Sequence, residues 1–217
     1  MASRKKVENL AHGDVKRLVL DAAIAIIADE GPDALSMREV ARRANISHQA
    51  PYHYFGDRSG IFAAISQEVF AALAHAFQQV QTDGTLDSTS PAKAGFTAYM
   101  RFAREHVGHF RVMFRADISG LTSHPEAHQC AEEAFTELRN MVARTIGDSA
   151  DPQDALTFAL MMWSQAHGLA TLMLDGPLEA RFGSLANAEK QADAVIDLAS
   201  HMMSLQARDL GLTPAQN

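Results

Sequence analysis

A single cysteine, Cys130, stands among the 217 residues, so no disulfide can close within one chain. A fold of this length buries a sufficient core without such staples, and the scarcity points to a reducing, cytoplasmic setting. Glycine and proline are few, 13 and 7, which with 47% hydrophobic residues excludes collagen-like, elastic and disordered classes. No basic stretch leads into an apolar segment and a small-residue cleavage site near the N-terminus, so no secretory signal is expected. Long apolar runs are missing as well. The densest, Ala155–Trp163, spans about half of what a bilayer crossing needs before Ser164 and Gln165 follow it, and no membrane partner is expected.

Positive charge is in deficit, with 19 Lys and Arg against 26 Asp and Glu for a net charge of −7. Such a balance excludes a chain that coats nucleic acid indiscriminately. The deficit is uneven: residues 1–60 hold nine basic against eight acidic side chains, and residues 61–217 hold ten against eighteen. Arg4, Lys5, Lys6, Lys16 and Arg17 oppose only Glu8 and Asp14 in the first seventeen positions, so an anion-binding surface belongs at this end. The signatures of catalysis are also absent. No Gly-rich phosphate loop, Gly-x-Ser-x-Gly elbow or His-Glu-x-x-His run occurs, and neither enzymatic activity nor a cofactor is expected.

Hairpin signals are missing, since no Asn-Gly or Asp-Gly separates runs of alternating β-branched residues, whereas helix starts and stops recur; the expected class is all-α. Val15, Leu18, Val19, Ala22, Ala23, Ile26 and Ile27 repeat at the spacing of one buried helix face, predicting a helix over 14–30 that Gly31-Pro32 ends. Ser36 and Glu39 form a capping box opening a two-turn second helix. Asn45-Ile46-Ser47 makes a tight turn, with Asn45 able to take positive φ and Ser47 placed to cap a third short helix through Phe55. Asp57 caps a fourth helix to about Val80, and the polar run Thr82–Ser90 reads as a linker. Beyond it, Ser90-Pro91, Ser123–Pro125 and Asp151-Pro152 mark starts. Gly147, Gly176-Pro177 and Gly211 mark stops, giving helices near 91–107, 108–117, 124–146, 152–175 and 186–209.

Three short helices with a tight turn between the second and third have the dimensions of a helix-turn-helix, whose third helix enters the DNA major groove. The groove-facing stretch would be Ser47, His48, Gln49 and Ala50, then Tyr52 and His53. Gln49 can grip adenine bidentately and Ala50 can meet a thymine methyl. Ser47, Tyr52 and Arg58 are donors suited to phosphate oxygens. Lys16, Arg17, Ser36 and Arg38 complete the candidate DNA-binding set. The same spacing also occurs in helical corners that bind nothing.

The run Arg17, Leu20, Ala22-Ala23, Glu30-Gly31, Ser36, Val40-Ala41, Ala44, Ile46-Ser47, Tyr52-His53-Tyr54-Phe55, Arg58 and Ile61 resembles the DNA-binding domain of TetR/AcrR-type regulators in order and spacing. Asn45 stands where that pattern usually has Gly, and Arg58 where it usually has Lys; both substitutions keep the required property. Pro51 departs further and predicts a stiffened helix start. The resemblance implies a homodimeric repressor whose C-terminal domain binds a small molecule. It supports a helix-turn-helix domain at 1–60, joined by the fourth helix to a helical ligand-binding and dimerisation domain at 61–217.

In the second half, Trp163, His167 and Gly168, together with Phe102, His106, His109, Phe110, Met113 and Phe114, resemble the WHG subclass of that family. Trp163 and His167 share a helix face at i, i+4, and Gly168 would let another helix approach closely. The helix at 152–175 is apolar almost all round, so it is expected to be buried on two sides. With the stripe Ala192, Val195, Ala199, Met202 and Met203 of the last helix, it predicts a four-helix dimer interface. Phe110, Met113, Phe114, Phe135, Met141, Met162, Trp163 and His167 are the candidate lining of a pocket for an apolar or amphipathic effector, which the resemblance implies; as a pattern they equally suit an ordinary core. Tilting of the helix at 57–80 would then separate the recognition helices and release a palindromic operator. Arg101, Arg104, Arg111, Arg115 and His109 could reach an anionic ligand head, although most of these arginines are expected on solvated faces. A rival reading is a metal-responsive regulator using His124/His128 or His106/His109, each pair on one helix face.

Overall fold

The computed structural model describes residues 12–82, 90–115, 117–119, 121–147 and 150–212. Arg4, Lys5 and Lys6, and the linker at 82–90 apart from its two end residues, lie outside them. Among the described residues the secondary structure is entirely helical, so the chain is all-α. The helices are α1 (His12–Glu30), α2 (Met37–Arg43), α3 (Ala50–Phe55), α4 (Arg58–Thr82), α5 (Pro91–Glu105), α6 (Val107–Met113), α7 (Pro125–Ile146), α8 (Pro152–Leu174), α9 (Pro177–Phe182) and α10 (Leu185–Asp209).

Local chemistry accounts for most boundaries. Ser36 Oγ accepts the Glu39 amide at 3.2 Å, Asp57 Oδ1 accepts the Gly60 amide at 3.0 Å, and Asp151 Oδ1 accepts the Gln153 amide at 2.7 Å. Only half of the Ser36–Glu39 box forms, because the Glu39 carboxylate turns to Arg42. Asn45 takes φ 54°, the left-handed conformation its side chain tolerates. One expected cap is corrected: Gln49, not Ser47, precedes α3, with no side-chain cap. Ala50 instead bonds the Ser47 carbonyl at 3.1 Å, so the turn is longer and α3 shorter than predicted. Pro51, at the second helical position, therefore forfeits no intrahelical bond, since the first four N–H groups have none to make. The stop at Gly176-Pro177 is also a start. Pro177 opens α9 before Ser184 caps α10 by accepting the Asn187 amide at 3.3 Å. The helix expected at 108–117 ends at Met113, where Arg115 bonds back to the Val112 carbonyl.

The chain divides into two compact units, one running to Ala71 and including His106–Ala131, the other comprising Ala72–Glu105 and Glu132 onward. In the first, Val19, Ala23, Ile26 and Ile27 of α1 meet Val40 of α2, Ile61, Phe62 and Ile65 of α4, and Val112 of α6 in one core. The inclusion of α6 has a backbone reason: a Cβ on Gly108 would stand 2.4 Å from the Ile24 carbonyl oxygen, so only glycine lets α6 lie on α1. Arg111 then donates to the Ala28 and Ile27 carbonyls at 2.6 and 3.3 Å, capping the α1 C-terminus. Arg111 is thus half-buried, whereas Arg101, Arg104 and Arg115 are exposed.

In the second unit α5 packs on α8 and α10, and α9 on α8 and α10. Phe96, Tyr99 and Phe102 of α5, Met141 and Val142 of α7, Met162 of α8 and Met203 of α10 are buried there. Within the subunit Gly168 does not mediate a close approach: among the described residues, apart from its chain neighbours and its own helix backbone, nothing lies within 4 Å of where its Cβ would be. The small residue that matters is Gly95, whose Cβ would fall 2.3 Å from Met141 Sδ and 2.4 Å from Met162 Cε. Hydropathy also singles out a helix that the sequence pattern did not. α4 is long and apolar enough to cross a membrane, yet 56% of its most apolar window is buried, and Ile61, Phe62, Ile65, Val69 and Phe70 are among the helix's buried residues. That is the pattern of a core helix.

Candidate functional site

α1, α2 and α4 enclose the core that fixes α3, and the opposite side of α3 with its preceding turn faces outward. Ser47, His48, Gln49, Tyr52 and His53 are exposed and Ala50 is half-buried, while Pro51 is buried. Gly60 sets how closely α4 meets this helix, because a Cβ there would stand 2.0 Å from the Phe55 carbonyl oxygen. Ser36 and Arg38 are exposed at the start of α2, and Lys16 and Arg17 on α1. The expected residues therefore share the exposed surface of the first unit.

Not all of them are equally available. Lys16 lies with Nζ 5.8 Å from the Phe55 ring centroid, steadying the end of α3. Arg17 is paired with Asp21 on its own helix and with Glu68 of α4 at 2.7 Å. Hydrogen bonding from His109 and then from Arg17 holds the Glu68 carboxyl below the usual carboxylate range. Arg58 donates to the Pro32 carbonyl at 2.6 Å and stacks its guanidinium 5.0 Å over Phe62, so much of its side chain serves as a strut. Arg43 ties α2 to Asp29 and Glu30 at the end of α1.

The candidate effector residues are divided between the units. Phe110 and Met113 are buried in the first, where Phe114 packs edge-on against Phe70 at 5.5 Å. Phe135, Met141, Met162, Trp163 and His167 belong to the second. There Phe135 and Trp163 meet at 6.1 Å between ring centroids. Tyr99, which the sequence did not single out, joins Trp163 to His167. Its hydroxyl accepts a hydrogen bond from the Trp163 indole and lies 3.1 Å from His167 Nδ1. Burial raises the Tyr99 pKa and lowers that of His167, keeping both groups neutral. No sequence spacing links residues 68 positions apart, and only the tertiary fold makes the pair visible.

For the histidine pairs, the His106 and His109 rings meet at 5.6 Å and His109 Nε2 is 3.6 Å from Glu68. Among the described residues, no three His, Cys, Asp or Glu side chains converge as a metal-binding set.

Residues 19–65 match the family model described as bacterial regulatory proteins, tetR family, and residues 92–199 match that of the tetracyclin repressor-like C-terminal domain. Over 103 residues the chain is 31% identical to the HTH-type transcriptional regulator BetI of Rhizobium meliloti (strain 1021). That stretch takes in 47% of this chain and 43% of the relative, so less than half of the relative's length is matched. A protein of unknown function from Rhodococcus sp. RHA1 superposes with a TM-score of 0.69 at 27% identity, over 91% of this chain and 97% of that one. The TetR family transcriptional regulator PfmR from Thermus thermophilus shares the fold with a TM-score of 0.61 at 22% identity, over 84% and 97% of the two chains. With a family model matching each region and a helix-turn-helix displayed at the surface of the first unit, the chain belongs to the TetR family, a family of transcription regulators rather than enzymes.

Proposed function

We propose that this chain is a homodimeric repressor that binds a palindromic operator in duplex DNA and is released by a small apolar or amphipathic molecule. The observation that carries the reading is the exposed row of Ser47, His48 and Gln49 in the turn before α3 and Tyr52 and His53 on α3, a helix held by a buried core. Ser47, Tyr52, Ser36, Arg38 and Lys16 act on phosphates, with Arg17 and Arg58 reaching them by exchanging their present partners, while Gln49 and Ala50 read base edges. DNA reading is assigned to 1–60, and effector binding and dimerisation to 61–217.

The dimer rests on the second unit's surface. Leu160 and Leu172 of α8 and Val195, Leu198, Met202 and Leu205 of α10 are exposed by 43–59%, an apolar display that calls for a second copy. The expected α10 stripe divides in a useful way, Ala192 and Met203 turning inward and Val195 and Met202 outward. The Trp163, His167 and Gly168 phrase supports placing the C-terminal region with the WHG subclass. Phe110, Met113 and Phe114 in one unit and Phe135, Met141, Met162, Trp163 and His167 in the other remain the candidate effector contacts. Selection of binding sites from random duplex DNA tests the function; a two-fold symmetric consensus with half-sites about 34–36 Å apart is expected, and recovery of no enriched sequence would exclude it.

A further inference from the structure

Most arginines of the first unit are held by carboxylates of the same unit. Arg17 pairs with Asp21 at 2.6 Å and Glu68 at 2.7 Å, Arg43 with Glu30 at 2.5 Å and Asp29 at 2.8 Å, and Arg115 with Asp117 at 2.7 Å. Arg42 gives Nε and a terminal nitrogen to the two oxygens of Glu39, at 2.7 and 2.5 Å, a two-point clasp within one helical turn. Arg58 and Arg111 donate to backbone carbonyls instead. Among the described residues, no carboxylate pair involves Lys16 or Arg38.

Two of the clasped arginines stand on the surface that carries the DNA-reading residues. Arg38 and Arg42, four positions apart on α2, share an exposed face, and Arg17 follows Lys16 on the exposed side of α1. Arg42 keeps 67% of its side chain open to solvent, so its charge is cancelled by Glu39 rather than hidden. A phosphate drawn to Arg42 or Arg17 also approaches the carboxylate bound to it. Attraction and repulsion then largely offset each other, and few counter-ions leave the DNA. His109 Nε2, 3.6 Å from the second oxygen of Glu68, braces that carboxylate from α6. Hydrogen bonding from Arg42 holds the Glu39 carboxyl below the usual carboxylate range, as His109 and then Arg17 do for Glu68. Both acids therefore stay charged at neutral pH.

We propose that Glu39 and Glu68 keep the affinity for DNA of arbitrary sequence low by cancelling the charge of Arg42 and Arg17 on the DNA-facing surface. This rests on the reading of α1, α2 and the turn before α3 as part of that surface. Weak general binding matters because a specific site competes with a vast excess of other sequence.

The test measures affinity of the full chain for a random-sequence duplex over a range of salt concentrations. Glu39→Gln and Glu68→Gln each remove one negative charge at nearly constant shape. Each is expected to raise that affinity about threefold to tenfold at physiological salt and to steepen the dependence of log K on log salt by about one per protomer. Removing the whole clasp, Glu39→Gln with Arg42→Gln, should return affinity and slope to the wild-type values. Glu179→Gln, the same change of charge on the exposed side of α9, should leave the slope unchanged. Slopes unmoved by Glu39→Gln and Glu68→Gln would overturn the proposal. So would a slope about one shallower on removing the clasp, since Arg42 would then already be binding phosphate, or a steepening by Glu179→Gln as large as the others, since net charge alone would then be acting. Circular dichroism identifies a variant that fails to fold, and the other carboxylate then decides. Wild-type protein that did not prefer a selected duplex would remove the operator reading, while the slopes on random duplex would still judge the two acids.

Discussion

The hydroxyl of Tyr99 lies 3.1 Å from Nδ1 of His167, and the Trp163 indole donates to the same hydroxyl. One phenolic oxygen thus satisfies two half-buried rings four residues apart on α8. Tyr99→Phe removes the oxygen and with it both of these contacts. A loss of about 1–3 kcal/mol in unfolding free energy is expected, measured by chemical denaturation with Trp163 emission and circular dichroism. An unchanged midpoint would mean that the three side chains are not joined.

The pairing also sets a pH dependence. Because burial lowers the His167 pKa below its ordinary 6.5, the residue is neutral in folded and unfolded chains above that value and contributes no slope there. As pH falls through 6.5 the unfolded chain takes up the proton first and stability declines. The decline levels off once pH passes below the folded-state pKa. His167→Gln, whose amide can either donate to or accept from the Tyr99 hydroxyl, should lose stability less steeply than wild type between about pH 7.5 and pH 5.5. Denaturant midpoints at the two values check the difference.

Three glycines separate close approach from mere permissiveness. Gly60→Ala and Gly108→Ala each drive a Cβ into a backbone carbonyl, at 2.0 Å from Phe55 and 2.4 Å from Ile24, and should destabilise the first unit by about 1–3 kcal/mol. Gly168→Ala meets nothing within 4 Å inside a helix and should stabilise by about 0.5–1 kcal/mol. Thermal unfolding of the three variants orders them.

Leu198, 59% exposed on α10, is the most accessible apolar residue of the face assigned to a second copy. Leu198→Glu should shift sedimentation from dimer to monomer at micromolar protein and weaken binding to a two-half-site duplex far more than to a single half-site. A wild-type monomer under the same conditions would remove the palindrome with it.

Much of this architecture could be read from residues acting locally. Ser36, Asp57 and Asp151 cap helices because their oxygens reach amides two or three residues on. Asn45 turns the chain because its side chain tolerates positive φ. Ser47 has the same chemistry, yet the turn carries the helix start three residues beyond it, to Ala50. What escaped depends on contacts across the fold. Arg111 meets α1 more than 80 residues away, Tyr99 finds His167, and Gly95 rather than Gly168 receives the packing partner. The outward face of α3 was legible because alternation between core and solvent follows helix geometry, but Lys16 over Phe55 and Arg58 on Pro32 show basic side chains partly engaged in holding that helix.

Sequence-specific DNA reading by the turn and α3 is tested most directly by comparing affinities for a selected duplex and for random duplex at one physiological salt concentration. Wild-type protein should prefer the selected site by about a thousandfold or more. Gln49→Ala should lose about 1–3 kcal/mol on that site and little on random DNA, whereas Arg38→Ala should weaken both and reduce the salt slope by about one. Equal wild-type affinity for selected and random duplexes would contradict the assignment.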